Sequence, residues 1–345
     1  MIINFNCFDS NTIFGGKKVK NFSKVFMLLF TALTVIVLAA CGNNDKEKDA
    51  STAAKDDSTY KVEHAMGTTE IKGEPKRVVV LTNEGTEAVL ALGVKPVGAV
   101  QSFLGDPWYE HIQDKMDGAE VVGLESELNI EKIASLKPDL IIGNKLRQEK
   151  DYAKLSKIAP TVFSETLRGD WQENFKLYAK ALNKEDEGTK ILDDYTAHVD
   201  KVKTALGDKT DQEVSVVRFM ADLTRIYYTD SFSGVILNQL GFKRAPAQAD
   251  MFKDDAKLGN LAIEVGKESI PDMDADVLFY FTYAPGGDET ATKTEQEWTS
   301  DKLWKNLNVV KSGNAHKVDD AIWNTAGGIL AANIMLDQLQ EIMTK

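Results

Sequence analysis

Polar and apolar residues alternate with helical spacing in one long segment near the middle of the chain. Residues 183–206 read NKEDEGTKILDDYTAHVDKVKTAL, and a glycine follows. Asn183 is a suitable N-cap, acidic residues fill the first turn, and Gly207 suits the position after the last turn. At about 1.5 Å per residue the helix is on the order of 33 Å long, so it is either a core helix or a strut between two lobes. Its apolar stripe is Ile191, Leu192, Tyr195, Val199, Val202 and Leu206.

The segments before and after this helix resemble each other. IEKIASLKPDLIIG (130–143) matches GKESIPDMDADVLFYF (266–281), and in each segment an aspartate, Asp139 or Asp276, comes eight residues after a glutamate. Upstream, KRVVVL matches EVSVVRF, and each is followed by a helix that ends in Leu-Gly. Three matches in the same order predict two lobes of similar build. Strands alternating with helices predict α/β lobes with mainly parallel sheets.

The N-terminal region has a different pattern. Four lysines precede an apolar run that ends at residue 40, as in an export signal. Residues 1–18 are unlike the start of a signal peptide, and Val19 is an alternative start if its codon is GTG. The predicted organisation is a signal peptide (1–40), a polar flexible tether (41–59), an N-terminal α/β lobe (60–170), a linker helical region (171–206) and a C-terminal α/β lobe (207–345).

Charge and cysteine content narrow the classes of partner. The 345-residue chain carries −12, and its first 40 residues carry +3, so the remainder carries −15. This balance argues against nucleic acid or a bare anionic membrane as a partner. Both cysteines, Cys7 and Cys41, precede the predicted lobes, which excludes a disulfide or a cysteine metal site inside the lobes.

Arginine is rare and unevenly placed. Only six of the 41 basic residues are arginines, and four of the six follow or end predicted strands: Arg147, Arg168, Arg218 and Arg225. Ligands of open α/β sheets bind beyond the carboxyl ends of the strands, so we expect these four around one cleft between the lobes. A guanidinium there would bind carboxylates. Substituting Arg147 or Arg218 should therefore weaken binding with little effect on stability. The alternative is that they are ordinary solvated or salt-bridged arginines.

Aromatic residues occur in the same kind of loop. Rings beside arginines suit a bulky ligand that is partly apolar and partly anionic, although such rings are also common in cores and at rims. The candidates are Phe103, Trp108, Trp171, Tyr227, Tyr228, Tyr283 and Trp323.

Signals for enzymes and metal sites are weak. The chain has no GxSxG, P-loop or HExxH motif, and its four histidines belong to different predicted elements. We therefore expect neither catalysis nor a protein-bound metal or cofactor.

Several of these segments together resemble a known family. LAACG (38–42) resembles the lipobox of bacterial lipoproteins, in which the cysteine, here Cys41, is diacylated. KRVVVLTNEGTEAVLALGVKPVGAV, NIEKIASLKPDLIIG and SFSGVILNQLG resemble the iron-siderophore substrate-binding lipoproteins of Gram-positive ABC importers. The resemblance implies two Rossmann-like lobes joined by a single long helix (class III type), with a shallow cleft for a hydroxamate or citrate-hydroxamate ferric siderophore. It places Arg147 and Arg218 at positions that hold the ferric complex.

The resemblance also has implications for partners. It implies a monomer anchored at Cys41 on the outer face of the cell membrane, with the iron held by the siderophore. The family docks on its permease through one acidic residue per lobe, for which Glu131 and Glu268 are the candidates; the alternative is that both are acids favoured by helix dipoles. LKPDLIIG is shared with vitamin B12 and haem binders, so a haem or corrinoid ligand stays open, as does an extracellular lipoprotein enzyme.

Overall fold

The computed structural model describes residues 58–254 and 261–345, and these described residues belong to one compact unit. The predicted signal peptide, nearly all of the tether, and Cys41 lie outside the described residues.

The first lobe is an α/β layer structure. Its strands are β1 (Thr59–His64), β2 (Gly67–Lys72), β3 (Val78–Val80), β4 (Gly98–Ala99), β5 (Glu120–Val121), β6 (Gly123–Leu124), β7 (Glu127–Leu128), β8 (Leu140–Asn144) and β9 (Thr161–Ser164). Its helices are α1 (Asn83–Ala91), α2 (Ile130–Ser135), α3 (Lys145–Gln148), α4 (Tyr152–Leu155) and α5 (Trp171–Ala181). Short 3-10 helices lie at Glu110–Lys115, Glu149–Asp151 and Arg168–Asp170.

The long helix α6 (Glu185–Leu206) leads to the second lobe. The strands there are β10 (Glu213–Met220), β11 (Leu223–Tyr227), β12 (Lys243–Arg244), β13 (Ala262–Val265), β14 (Val277–Thr282) and β15 (Ala315–Lys317). The helices are α7 (Phe232–Leu240), α8 (Pro246–Asp254), α9 (Glu289–Thr299), α10 (Lys302–Asn306), α11 (Asn308–Lys311) and α12 (Ile329–Thr344). Gly207–Asp211, Lys267–Met273 and Pro285–Gly287 are 3-10 helices, and Ala321–Thr325 is a π-helix.

Each lobe is built on one main sheet. The first is parallel throughout, in the order β5-β4-β3-β8-β9. The second has the order β13-β11-β10-β14-β15, with β12 also paired to β10. In that sheet β11 runs antiparallel to its neighbours, and β12, β14 and β15 run parallel to theirs. Every residue of β3 and β8 is buried, as expected for parallel strands that are covered on both faces.

The matched aspartates have the same role in the two sheets. Asp139 accepts hydrogen bonds from the backbone N–H groups of Lys76 and Arg77, each at 2.9 Å, and its own N–H donates to the Arg77 carbonyl at 3.0 Å. Asp276 accepts from the Glu213 N–H at 2.9 Å, and its own N–H donates to the Glu213 carbonyl at 3.1 Å. Each aspartate therefore ties the start of one central strand to the start of the next, which accounts for the internal sequence match.

Helix α6 buries the predicted stripe but begins one residue later than the cap pattern predicts, with Lys184 at the N-cap position. Ile191 is half-buried, and the other stripe residues are buried. Asn183 is not the N-cap: its φ is 57°, and its N–H donates to the Lys180 carbonyl at 3.1 Å, which closes the end of α5. Asparagine tolerates this left-handed conformation, so it ends one helix here and does not start the next.

Helix α12 joins the lobes, because it packs against α1, α5 and α6. At its first turn the N–H of Ala331 donates to the Glu87 carboxylate of α1 at 2.9 Å, and the other oxygen of Glu87 pairs with His111. Farther along α12, Asn333 hydrogen-bonds His198 of α6 at 2.8 Å. The lobes are thus connected by packed helices as well as by the covalent chain.

Candidate functional site

An open cavity lies between the two lobes, beyond the carboxyl ends of strands from both sheets. Its empty volume is about 700 Å³. Arg147 follows β8, Arg168 follows β9, and Arg218 lies near the end of β10. This is where ligands of open α/β sheets bind. The lining consists of Glu84, Phe103, Glu125, Arg147, Leu167 and Arg168 from the first lobe, with Arg218, Met220, Tyr283, Asn324, Thr325, Ala326 and Gly327.

Arg218 is firmly held by other protein groups. Its Nε and Nη2 donate to the carboxylate oxygens of Asp320 at 2.6 and 3.1 Å, and its Nη1 donates to the Tyr227 hydroxyl at 3.2 Å. The Tyr283 ring centroid lies 4.6 Å from its guanidinium carbon. Burial lowers the pKa of Arg218, but the charge of Asp320, the Tyr227 hydroxyl and the hydrogen bonds to both together outweigh burial and hold that pKa above its ordinary value. Arg218 is therefore charged, and its charge is already balanced.

Arg147 faces a buried carboxylate. Its Nε lies 3.5 Å from an oxygen of Glu125, and its side chain is 34% exposed. The other oxygen of Glu125 accepts from the backbone N–H and the side-chain amide of Asn83 at 2.7 and 2.9 Å. Burial raises the pKa of Glu125, while the Asn83 hydrogen bonds and the charge of Arg147 oppose that rise. Arg147 is thus loosely paired and reaches the open side of the cavity.

Arg168 is held through its backbone. It has a φ of 73°, and its N–H donates to the Glu84 carboxylate at 2.9 Å. The other oxygen of Glu84 accepts from the Asn174 side-chain amide at 2.7 Å. Burial raises the pKa of Glu84 to about 8, against the lowering effect of both hydrogen bonds. Burial also lowers the pKa of the Arg168 guanidinium, and the charges of Arg147 and Arg218 add to that effect.

The turn between β3 and α1 positions Glu84. Thr82 caps α1, because its hydroxyl accepts from the Gly85 N–H at 3.0 Å. Gly85 packs so closely on the preceding strand that an added Cβ would lie 2.9 Å from a methyl group of Val80. The first turn of α1 therefore sits directly over the end of β3, and this places Glu84 in the cavity wall.

Comparisons with known proteins identify the family of this chain. The family model described as periplasmic binding protein matches residues 78–321. The chain belongs to the periplasmic binding protein family. It is 54% identical over 327 residues to YfiY of Bacillus subtilis, named a probable siderophore-binding lipoprotein, with 94% of this chain and 99% of that protein covered.

Two further similar proteins have names or titles that mention an iron complex or a siderophore. This periplasmic binding protein is 31% identical over 317 residues to the Fe(3+)-citrate-binding protein YfmC of Bacillus subtilis, with 91% of this chain and 95% of that protein covered. The crystal structure of Staphylococcus aureus SirA complexed with staphyloferrin B superposes with a TM-score of 0.75 at 42% identity, covering 83% of this chain and 99% of that one.

The structure brings together five of the residues that the sequence predicts for the site of this periplasmic binding protein. They are Phe103, Arg147, Arg168, Arg218 and Tyr283. Six other candidates lie elsewhere. Trp108 is a core residue, 6% exposed, and the Tyr228 ring stacks on Phe252 with centroids 4.2 Å apart. Arg225 donates to Glu264 of the neighbouring strand at 2.7 Å and is not among the lining residues. Trp171 and Trp323 are core residues, 1% and 0% exposed, and Tyr227 is buried behind Arg218.

Sequence reasoning missed three acidic residues around the cavity. Glu84 comes four residues after the end of β3, in the first turn of α1, so the strand-end rule that selected the arginines would also have selected it. Glu125 directly follows β6 and Asp320 comes three residues after β15, so position alone also fits them. Which arginine each one meets depends on the fold. All three are buried, which single-sequence patterns rarely predict for acids.

The remaining predictions concern residues outside the cavity. Glu131 and Glu268 are both exposed, each in the first turn of its helix, α2 and the 3-10 helix Lys267–Met273. Within residues 58–254 and 261–345, no cluster of three or more His, Cys, Asp or Glu side chains is arranged to hold a metal ion. In the same part of the chain, none of the helices combines the length and the apolarity needed to cross a bilayer.

Proposed function

We propose that this periplasmic binding protein captures a ferric siderophore outside the cell and delivers it to the permease of an ABC importer. The observation that carries the proposal is the convergence of Arg147, Arg168 and Arg218 on one open cavity between the lobes. Relatives named for siderophores and for ferric citrate support the ligand class. The proposed role is binding and transfer, with no covalent chemistry.

The chemistry of the cavity favours a ferric siderophore whose outer surface carries carboxylates. Guanidinium groups bind carboxylates through paired, charge-assisted hydrogen bonds. Phe103 and Tyr283 supply ring surface for the apolar part of the same ligand. A citrate-hydroxamate siderophore meets both requirements, and a hydroxamate siderophore meets them when it also carries free carboxylates. The siderophore holds the iron, and the protein holds the outer surface of the complex.

The proposal includes an anchor and a docking surface. Cys41 carries the lipid that tethers a monomeric protein to the outer face of the membrane. Glu131 and Glu268 contact the permease, one from each lobe. Their shared place in the first turn of matched helices supports this assignment.

Titration of the purified protein against a panel of complexes tests the function. The panel is ferric staphyloferrin B, ferric citrate, ferric desferrioxamine B, haemin and cyanocobalamin, with iron-free staphyloferrin B as the matched control. Because the five tryptophans are 0–7% exposed, ferric complexes should quench them by energy transfer, and calorimetry provides an independent measurement. We expect micromolar or tighter binding, on the order of −8 kcal/mol, of a carboxylate-bearing ferric complex. Binding of haemin or cyanocobalamin alone would contradict the proposal.

A further inference from the structure

The three arginines of the cavity differ in what they are already bonded to. Arg218 uses three of its five N–H groups on Asp320 and Tyr227. Arg147 lies near Glu125, at 3.5 Å. Among residues 58–254 and 261–345, by contrast, the structure gives the Arg168 guanidinium no hydrogen bond and no ion pair. The Arg147 guanidinium also makes no hydrogen bond in that part of the chain, but its charge faces Glu125. Arg168 is therefore the arginine of the three whose donors and charge are both uncommitted.

The backbone at Arg168 is unusual in a way that fits this difference. A residue with a Cβ rarely adopts a positive φ, and such strain persists only where the surroundings enforce it. Glu84 enforces it from one side, because it accepts the Arg168 N–H and is itself held by Asn174. The second lobe packs against the other side of this turn. It comes so close that a Cβ on Gly169 would lie 2.9 Å from the Asp230 carbonyl oxygen.

Glu84 is also tied to the rest of the loop. The Asn174 amide that donates to Glu84 also donates to the Thr166 carbonyl at 2.8 Å. Glu84 thus holds the turn directly at Arg168 and, through Asn174, at Thr166. Glu84 is 6% exposed and lies in the wall of the cavity, where its hydrogen bonds are shielded from water.

We infer that Arg168 is the principal anion-binding residue of the cavity and that Glu84 is the residue that positions it. The inference rests on the proposed function for the identity of the anion, a carboxylate of a ferric siderophore. Arg218 then serves mainly to shape the second-lobe wall, with its charge committed to Asp320. The assignment reverses the expectation from sequence, in which Arg147 and Arg218 hold the ligand.

Binding by single variants tests the ranking. With ferric staphyloferrin B and ferric citrate as probes, R168Q should weaken the tighter of the two by about 10- to 100-fold, the range for hydrogen bonds to charged groups. R147Q should lose less. K243Q is the matched control, because it also removes one positive charge. Lys243 lies in β12 and pairs with Glu213 at the start of β10, the opposite end of that strand from the cavity. R168Q binding within twofold of wild type, or an equal loss in K243Q, would overturn the ranking.

A double-mutant cycle tests the positioning role. E84Q keeps an oxygen that can accept the Arg168 N–H, so it should keep most of the affinity, whereas E84A should lose nearly as much as R168Q. If Glu84 acts through Arg168, the E84A/R168Q double variant should bind no more weakly than R168Q alone. A purely structural role predicts additive losses instead, and additive losses would overturn this half of the inference.

A measurement without ligand separates this inference from the proposed function. Phenylglyoxal modifies accessible guanidines, and peptide mapping gives the rate at each arginine. In the full protein Arg168 should react faster than Arg218, which is shielded by Asp320, and E84A should change the rate at Arg168 more than E84Q does. If none of the ferric complexes binds, the proposed function fails while this measurement still decides which arginine is free. Equal rates at Arg168 and Arg218 would refute the inference even if a siderophore binds.

Discussion

Arg218 and Asp320 form a bidentate ion pair whose side chains are 8% and 1% exposed. Removing one member of a buried pair leaves the other charged and uncompensated. We therefore expect R218A and D320A each to lower the free energy of unfolding by about 3–5 kcal/mol, measured by urea denaturation. K176A, which breaks a pair with Glu173 whose side chains are 58% and 71% exposed, is the control and should change it by less than about 1 kcal/mol. A wild-type denaturation midpoint for D320A would contradict the role given to this pair.

Glu84 predicts how stability depends on pH. Its carboxyl has an ordinary pKa of 4.5 in the unfolded chain and a pKa raised to about 8 by burial in the folded protein. Between these pH values the folded protein binds more protons than the unfolded chain, so the free energy of unfolding falls as pH rises. E84Q cannot titrate and should show a flatter decline over that window. Urea denaturation at about pH 5 and about pH 8 measures it, and a slope in E84Q as steep as in wild type would be evidence against a protonated Glu84.

At the residue scale, the sequence identified the arginines of the cavity but not the side chains to which they are bonded. Strand-end position selected Arg147, Arg168 and Arg218, because the carboxyl ends of parallel strands meet at one edge whatever the details. It could not show that Asp320 neutralises Arg218, since the two are distant in sequence and meet only in the folded chain. For the same reason, the sequence predicts that substituting Arg218 has little effect on stability. The buried ion pair with Asp320 leads to the opposite expectation.

At the scale of elements, local signals were reliable for the body of a helix and unreliable at its ends. The apolar stripe of α6 predicted its buried face because burial follows the helical period. The start of α6 was misplaced because Asn183 suits a left-handed end as well as an N-cap, and only the preceding helix α5 decides between them. Trp171 and Trp323 looked like cleft residues for a similar reason: nothing local shows whether a ring at a loop turns inward.

The contact between α1 and α12 is an element-scale feature with a testable contribution. Glu87 is fully buried, accepts the Ala331 N–H and pairs with His111. E87A would leave a buried N–H without its acceptor, so we expect a loss of about 1–3 kcal/mol in the free energy of unfolding. E341A, on the exposed face of α12, is the matched control and should stay within about 0.5 kcal/mol. Equal effects of the two substitutions would mean that the contact contributes nothing specific.

At the scale of the whole molecule, the internal match has a consequence for docking. Glu131 and Glu268 occupy equivalent exposed positions on the two lobes. Exposed pairs contribute roughly 0–1 kcal/mol each, so their effect should be on orientation and encounter rate. The double variant E131A/E268A should keep wild-type siderophore affinity and reduce iron uptake in cells. The control is the exposed pair E173A/E341A. Loss of affinity would place the two glutamates in the pocket, and normal uptake would leave them as helix-terminal acids.

The proposed anchor makes the simplest cellular prediction. C41A removes the thiol that would be acylated, so the variant should incorporate no labelled fatty acid and should be found unprocessed or released into the medium. C7A is the matched control and should be labelled as wild type. Labelling of C41A at the wild-type level would show that the lipid is attached elsewhere.

The order of elements along the chain has a consequence for biosynthesis. Helix α12 comes after both sheets, yet its partners α1, α5 and α6 are synthesised long before it. Until α12 is synthesised, the apolar surface of those helices is exposed. The Glu87 carboxylate also lacks the hydrogen bond that it accepts from the Ala331 N–H. Incomplete chains of this kind expose hydrophobic surface and aggregate readily. The yield of folded protein should therefore depend on chaperones that bind this surface during synthesis, even if the folded protein itself is stable.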